Sequence, residues 1–175
     1  MIPASIGGAI VMNAGAYNHY ISDIIEYIYY LDENLNIKVI HKKDCNFEYR
    51  NSTFKNSGKI VLGCKIITNH KSRNELKKIM DSCKEKRLKL QPIEFPNSGS
   101  IFKNGETYKA WEVIDKVNLR GYTKEDAMIS EKHSNFIINK GKATYDDIIF
   151  LVNLAQEKVK RQFGIILERE IIVID

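Results

Sequence analysis

Three observations in the 175-residue sequence predict an α+β fold. Short runs of β-type residues occur in both halves, and the first two are joined by a turn too short for a parallel crossover. Two long helical patterns, at 72–88 and 144–163, are segregated between those runs rather than alternating with each of them. A loop rich in proline and glycine at 90–106 separates two unequal parts, and 43% hydrophobic residues is enough for a buried core.

The elements follow in order. IPASIGGAIVMNAGAY (2–17) is the glycine-densest stretch of the chain and reads as a loop. DIIEYIYYLDENLNIKVIH (23–41) reads as two strands around the turn residues Asp32–Asn36, with Tyr27, Tyr29, Ile37 and Val39 as β-formers. KIVLGCKIIT (59–68) is a third strand. Residues 72–88 form an amphipathic helix, with Ser72 as N-cap and Glu75 completing a capping box. LQPIEFPNSGSIFKNGE (90–106) carries Pro92, Pro96, Gly99 and Gly105, which makes it a loop and the domain boundary. AWEVIDKV is a short helix and SNFIINKG a strand ending at a turn. Thr144 caps a long helix to Phe163, with Asp146 and Asp147 in its first turn and Gly164 at its end. IILEREIIVID closes the chain as a strand.

Composition narrows the function. The net charge of +5 suits an anionic small molecule as well as nucleic acid. The densest basic runs, KSRNELKK and KEKRLK, alternate with Leu76, Ile79, Met80 and Cys83 at helical spacing, which marks a solvated helix face rather than a nucleic-acid patch. Cys45, Cys64 and Cys83 are odd in number and contain no CxxC pair, so neither a disulfide framework nor a zinc site is expected, and a reducing cytoplasm fits. No apolar run approaches a membrane span, so no membrane partner is expected. The histidines at 19, 41, 70 and 133 form no cluster, and no metal is expected.

Three stretches combine polar groups with an irregular backbone. In FEYRNSTF (47–54), Tyr49 and Arg50 stand side by side between a hairpin and a glycine turn. In PNSGSIFKN (96–104), Gly99 permits a tight turn that exposes Ser98 or Ser100, with Lys103 and Asn104 behind. In LERE (167–170), the two-residue period of a strand puts Glu168 and Glu170 on one face. Each alone fits a structural role: a strand end, a helix cap, a charged edge.

Taken in order with IPASIGGAIVMNAGAY and SEKHSNFIIN, these stretches resemble the UDP-N-acetylenolpyruvoylglucosamine reductase family, flavoenzymes that make the muramic acid of bacterial peptidoglycan. Ala4 stands where the family usually has glycine, and Arg169 where it often has proline. The short spacing after FEYRNSTF leaves no room for the tyrosine-bearing insertion of the longer subclass, so the resemblance is to the compact second type. It also implies a further N-terminal lobe with a loop for the flavin diphosphate, absent from these residues, so that the opening stretch falls inside a domain.

The resemblance implies the remaining expectations. Residues 1–90 and 165–175 would be the remnant of an FAD-binding α+β lobe, and 91–164 a smaller α+β substrate-binding domain. FAD and NADPH would be the cofactors, and UDP-N-acetylglucosamine enolpyruvate the substrate, reduced to UDP-N-acetylmuramate. Arg50 would balance charge on the substrate carboxylate, and Tyr49 would support the arginine or the substrate. Ser100 would donate the proton, and Glu170 would help polarise the site. Gly7, Gly8, Asn13, Ala14 and Gly15 would lie against the flavin. Asn104 would contact substrate, and Lys103 or Lys89 the diphosphate. Against this stand an inactive fragment unable to hold FAD and, more remotely, a basic nucleic-acid-binding module.

Overall fold

The structure, a computed structural model, describes residues 4–174; Ile2 and Pro3 of the opening stretch lie outside the described residues. The chain forms two compact units, Met1–Leu76 and Lys77–Asp175.

The first unit is built on an antiparallel three-stranded sheet, β3 (Ile25–Leu31) between β4 (Ile37–His41) and β5 (Ile60–Ile66). The turn from β3 to β4 is organised by Asp32, whose Oδ1 accepts from the Asn34 and Asn36 amides, each at 2.9 Å. The opening stretch is not the loop its glycines suggested. Ser5 caps a short helix, α1 (Ile6–Val11), and its Oγ accepts from the Gly8 amide at 3.0 Å. That cap and the burial of Ile10 against the sheet outweigh the poor helix propensity of Gly7 and Gly8. A two-residue hairpin, β1 (Gly15–Ala16) and β2 (His19–Tyr20), follows. Ile10, Ile25, Ile28, Cys45 and Phe54 form the core.

Helix α2 (Arg73–Leu90) runs across the division between the units. The capping box forms as expected: Glu75 accepts from the Ser72 amide at 2.9 Å, and Ser72 Oγ accepts from the Glu75 amide at 3.3 Å. None of its described side chains is buried. The compact units divide at 76/77, inside α2. Part of the expected 90–106 loop, Asn97–Ser100, is instead a strand, β6.

In the second unit β6 joins an antiparallel sheet in the order β6, β9 (Phe136–Asn139), β8 (Ala127–Ile129) and β7 (Thr123–Lys124). Helices α3 (Ala110–Lys116) and α4 (Tyr145–Phe163) supply the rest of the core, with Val113, Ile114, Leu151, Val152 and Val159 buried alongside Ile101, Phe102 and Ile129. Thr144 and Asp147 close a capping box at the start of α4, and Gly164 ends it, as expected.

The closing strand is largely absent. Residues 165–174 lie within the second unit and make one antiparallel bridge, Arg169 with Phe102. The partner stretch offers few pairing positions, because Asn104 turns away to begin the approach to α3. Leu167 is fully buried in this unit's core, whereas Ile166 is 73% exposed. Leu167→Ala is expected to cost about 2–5 kcal/mol, read as a lower denaturant midpoint for the second unit, while Ile166→Ala should shift it by less than about 0.5 kcal/mol.

Candidate active site

In the first unit Tyr49 and Arg50 occupy the two corner positions of a tight turn. Glu48 and Asn51 exchange backbone hydrogen bonds at 3.2 and 3.3 Å across its base. Arg50 has φ of +54°, a left-handed conformation that a bulky side chain adopts only when its surroundings impose it. Its guanidinium lies 4.9 Å from the centre of the Tyr49 ring, which is 41% exposed, so the cation is stacked on the phenol face. Lys55 Nζ donates to the Arg50 carbonyl at 3.1 Å.

This turn is fastened to the opening stretch. The Asn13 Nδ2 donates to the Glu48 carbonyl at 3.0 Å, and Ser52 Oγ donates to the Val11 carbonyl at 2.8 Å. Asn13 is 4% exposed and also accepts from the Ser22 amide at 3.4 Å. Its carboxamide therefore braces the arginine turn. Ala14 donates its amide to the Ala9 carbonyl, closing the end of α1. A Cβ on Gly15 would stand 2.4 Å from the Tyr20 ring, so the cross-strand tyrosine demands glycine there. Gly8 is exposed and Gly7 half-buried.

In the second unit PNSGSIFKN is ordered by Asn97. Its Oδ1 accepts from the Gly99 amide at 2.9 Å, while its Nδ2 donates to the Phe95 carbonyl at 2.8 Å and the Pro92 carbonyl at 3.1 Å. Gly99 has φ of +82°, and open space surrounds its α-carbon, so the backbone angle and not crowding requires glycine. The chain then enters Ser100, half-buried and paired with Phe136 of β9, whereas Ser98 is exposed.

The strand beyond Ser100 is bonded on both edges. Along one edge Asn135 accepts from the Ile101 amide through its carbonyl at 2.9 Å and clasps Phe102 through its carboxamide. Along the other, the Glu170 amide donates to the Ile101 carbonyl at 2.8 Å and the Lys103 amide to the Glu168 carbonyl at 2.9 Å. Ser100 and Glu170 are thereby carried on adjoining segments. Glu168 is spent differently, as the ion-pair partner of Lys103. Asn104 accepts from the Ala110 amide at 3.0 Å, which satisfies an otherwise orphaned donor at the start of α3. Lys89 stands exposed in the last turn of α2.

Asn97 and Asn135 were not among the residues singled out from sequence. An asparagine two positions before a glycine was a readable sign of an Asx turn. Nothing local distinguished Asn135, because its partners lie 33 residues away.

Burial pushes the Cys45 thiol up to about 11, with Asp44 adding to the effect, so it is protonated and inert at neutral pH. Among the described residues no group of three His, Cys, Asp or Glu side chains is arranged to hold a metal ion, and no helix is long and apolar enough to cross a membrane. His133 packs edge-on against Phe136 at 4.9 Å and Trp111 at 6.3 Å, and its Nδ1 accepts from the Asn135 amide at 3.3 Å. Burial, and secondarily the Arg120 charge, hold its pKa below the ordinary histidine value. The unfolded chain therefore takes up this proton more readily, beginning near the ordinary value of about 6.5. Full stability is expected above that pH, with loss as the pH falls through the depressed folded value. Urea midpoints measured between about pH 7.5 and 5 check this, and His133→Gln should flatten the slope.

Residues 91–174 match the family model for the C-terminal domain of UDP-N-acetylenolpyruvoylglucosamine reductase. A protein of that name from Carboxydothermus hydrogenoformans is 40% identical over 173 residues, covering 99% of this chain and 57% of the relative. Its namesake from Aquifex aeolicus is 36% identical over 173 residues, again 99% of this chain and 58% of the relative. The crystal structure of UDP-N-acetylenolpyruvylglucosamine reductase from Thermus caldophilus superposes with a TM-score of 0.82 at 31% identity, over 97% of this chain and 60% of that one. The chain thus spans a little over half the length of the curated relatives it matches. Residues 91–174 are thus similar to the C-terminal domain of the UDP-N-acetylenolpyruvoylglucosamine reductase family, and nearly the whole chain is similar to part of those relatives.

Proposed function

We propose that these residues supply the substrate side, and part of the flavin side, of a cytoplasmic bacterial enzyme that reduces UDP-N-acetylglucosamine enolpyruvate to UDP-N-acetylmuramate for peptidoglycan synthesis, using FAD and NADPH. The observation that carries the reading is the pairing of the Ser100 and Glu170 segments inside the unit that matches the family's C-terminal domain: the Glu170 amide bonds to Ile101, the residue after Ser100. Residues 1–90 are read as the flavin side and 91–164 as the substrate side, with which 165–174 pack.

Gly7 and Gly8 are the residues that would lie against a flavin; within the protein Gly7 faces Val61 and Gly8 faces the Ser5 hydroxyl. When bound, the flavin supplies to the substrate the hydride that it receives from NADPH. The protein's own part is electrostatic and acid–base. Arg50, pre-set by its strained backbone and its stack on Tyr49, would meet the carboxylate on which charge develops. Ser100 would pass its hydroxyl proton to the carbon α to that carboxylate, a transfer that a weak acid makes only to a strongly basic carbon. Glu170 would orient the same region. Lys103 is committed to Glu168, so it would reach a diphosphate only by exchanging that partner; Lys89 is the exposed alternative.

Two outcomes test the reading. In the flavin-loaded enzyme, Ser100→Ala should abolish UDP-N-acetylmuramate formation while leaving NADPH reduction of the flavin intact; normal product formation would identify another acid. The 175 residues alone should bind FAD more weakly than a chain extended by the part that precedes them in the relatives. Contacts to a cofactor's charged half contribute several kcal/mol, and each ~1.4 kcal/mol is tenfold in affinity. Flavin absorbance after gel filtration reads the difference, and equal retention by both chains would contradict it.

A further inference from the structure

We infer that Asn135 is a positioning residue for the reaction proposed above: it holds the strand that carries Ser100 and, through that strand, the segment that carries Glu170. The inference rests on that functional reading for its consequence, and on four hydrogen bonds for its geometry.

Asn135 is 4% exposed. Its Oδ1 accepts from the Phe102 amide at 3.0 Å and its Nδ2 donates to the Phe102 carbonyl at 2.8 Å. Its own carbonyl accepts from the Ile101 amide at 2.9 Å, and its amide donates to His133 Nδ1 at 3.3 Å. Backbone pairing between β6 and β9 reaches Ser100 opposite Phe136 and continues through the Ile101 amide to the Asn135 carbonyl; at Phe102 a side chain takes over the work of a strand. A primary carboxamide offers a donor and an acceptor side by side whatever the pH, matched to both polar groups of one residue. Aspartate offers acceptors alone, and an aliphatic side chain offers neither. Because Ile101 also accepts from the Glu170 amide, a shift of Ile101–Phe102 displaces Ser100 and Glu170 together.

The charged groups nearby are the Lys103–Glu168 pair on the far edge of the same strand, Arg169, held by Gln156 and Asn153, and His133, with Arg120 and Asp115 beyond it. None of them replaces the carboxamide at Phe102. In an Asn135→Asp protein the ionised carboxylate would face the Phe102 carbonyl, and protonation would restore a donor there.

Hydrogen exchange on the chain, with kinetics on the flavin-loaded enzyme, tests this. In Asn135→Ala, the Phe102 and Glu170 amides should lose protection while core amides of α4 keep theirs. Asn135→Asp should lose the same protection at neutral pH and regain it as the pH falls, with the unsubstituted chain run at each pH to account for His133. Product formation should fall about 100-fold, the scale of a small misplacement at a reacting centre, with NADPH reduction of the flavin unchanged. Protection lost evenly across the second unit, or both half-reactions falling together, would reduce Asn135 to a structural residue and overturn the inference. Unchanged Phe102 protection in Asn135→Ala overturns it as well. An unsubstituted enzyme that forms no product would sink the functional reading and the catalytic half of this inference, leaving the exchange data to decide the positioning half.

Discussion

The second unit depends on a stretch of three residues, Ile101 to Lys103, whose backbone is hydrogen-bonded along both edges. Ile101 and Phe102 are essentially buried, so every amide and carbonyl there needs a partner or costs its desolvation. Asn135 supplies partners along one edge and Glu168 and Glu170 along the other. The hydrophobic anchor Leu167 holds the closing segment in place for that second set of bonds. Remove either side and a buried polar group is orphaned. This is why so short a closing segment, with a single bridge, sits in a defined place.

The first unit solves a similar problem with fewer residues. The turn that presents Arg50 is strained at Arg50 itself, and such strain persists only where the surroundings over-determine it. Asn13 and Ser52 do so, by tying the turn to the end of α1 over 35 and 41 positions of sequence. The guanidinium is further restrained by its stack on Tyr49. Both units thus use a buried asparagine carboxamide to fix an irregular backbone near a candidate functional side chain.

Electrostatics separates the two glutamates of the closing segment. Glu168 is exposed and paired with Lys103, whose side chain is only 16% exposed, so the ion pair keeps a mostly buried lysine satisfied. Glu170 is half-buried and tied by its amide to the strand after Ser100. The same residue type two positions apart therefore sits in two settings: the Glu168 carboxylate pairs with Lys103, while Glu170 is joined through its backbone to the residue after Ser100.

By itself the sequence determined what is local. The hairpin around Asp32, the capping boxes at Ser72 and Thr144, the ending of α4 at Gly164 and the turn at Gly99 each follow from side chains a few residues apart. Ordered motifs made Arg50, Ser100 and Glu170 the candidate site residues without any coordinates. Tertiary structure decided what depends on distant partners. The glycines at 7 and 8 became helical because Ser5 capped them and Ile10 found a core. Asn97–Ser100 became a strand because β9 lay beside it, and IILEREIIVID stayed mostly irregular because only three residues of backbone were free to pair with it. Asn13 found the arginine turn 35 positions away, and Asn135 gained its place from a residue 33 positions away. A carboxamide's preference for donors and acceptors is written in the residue, but which backbone it will meet is set only when the chain has folded.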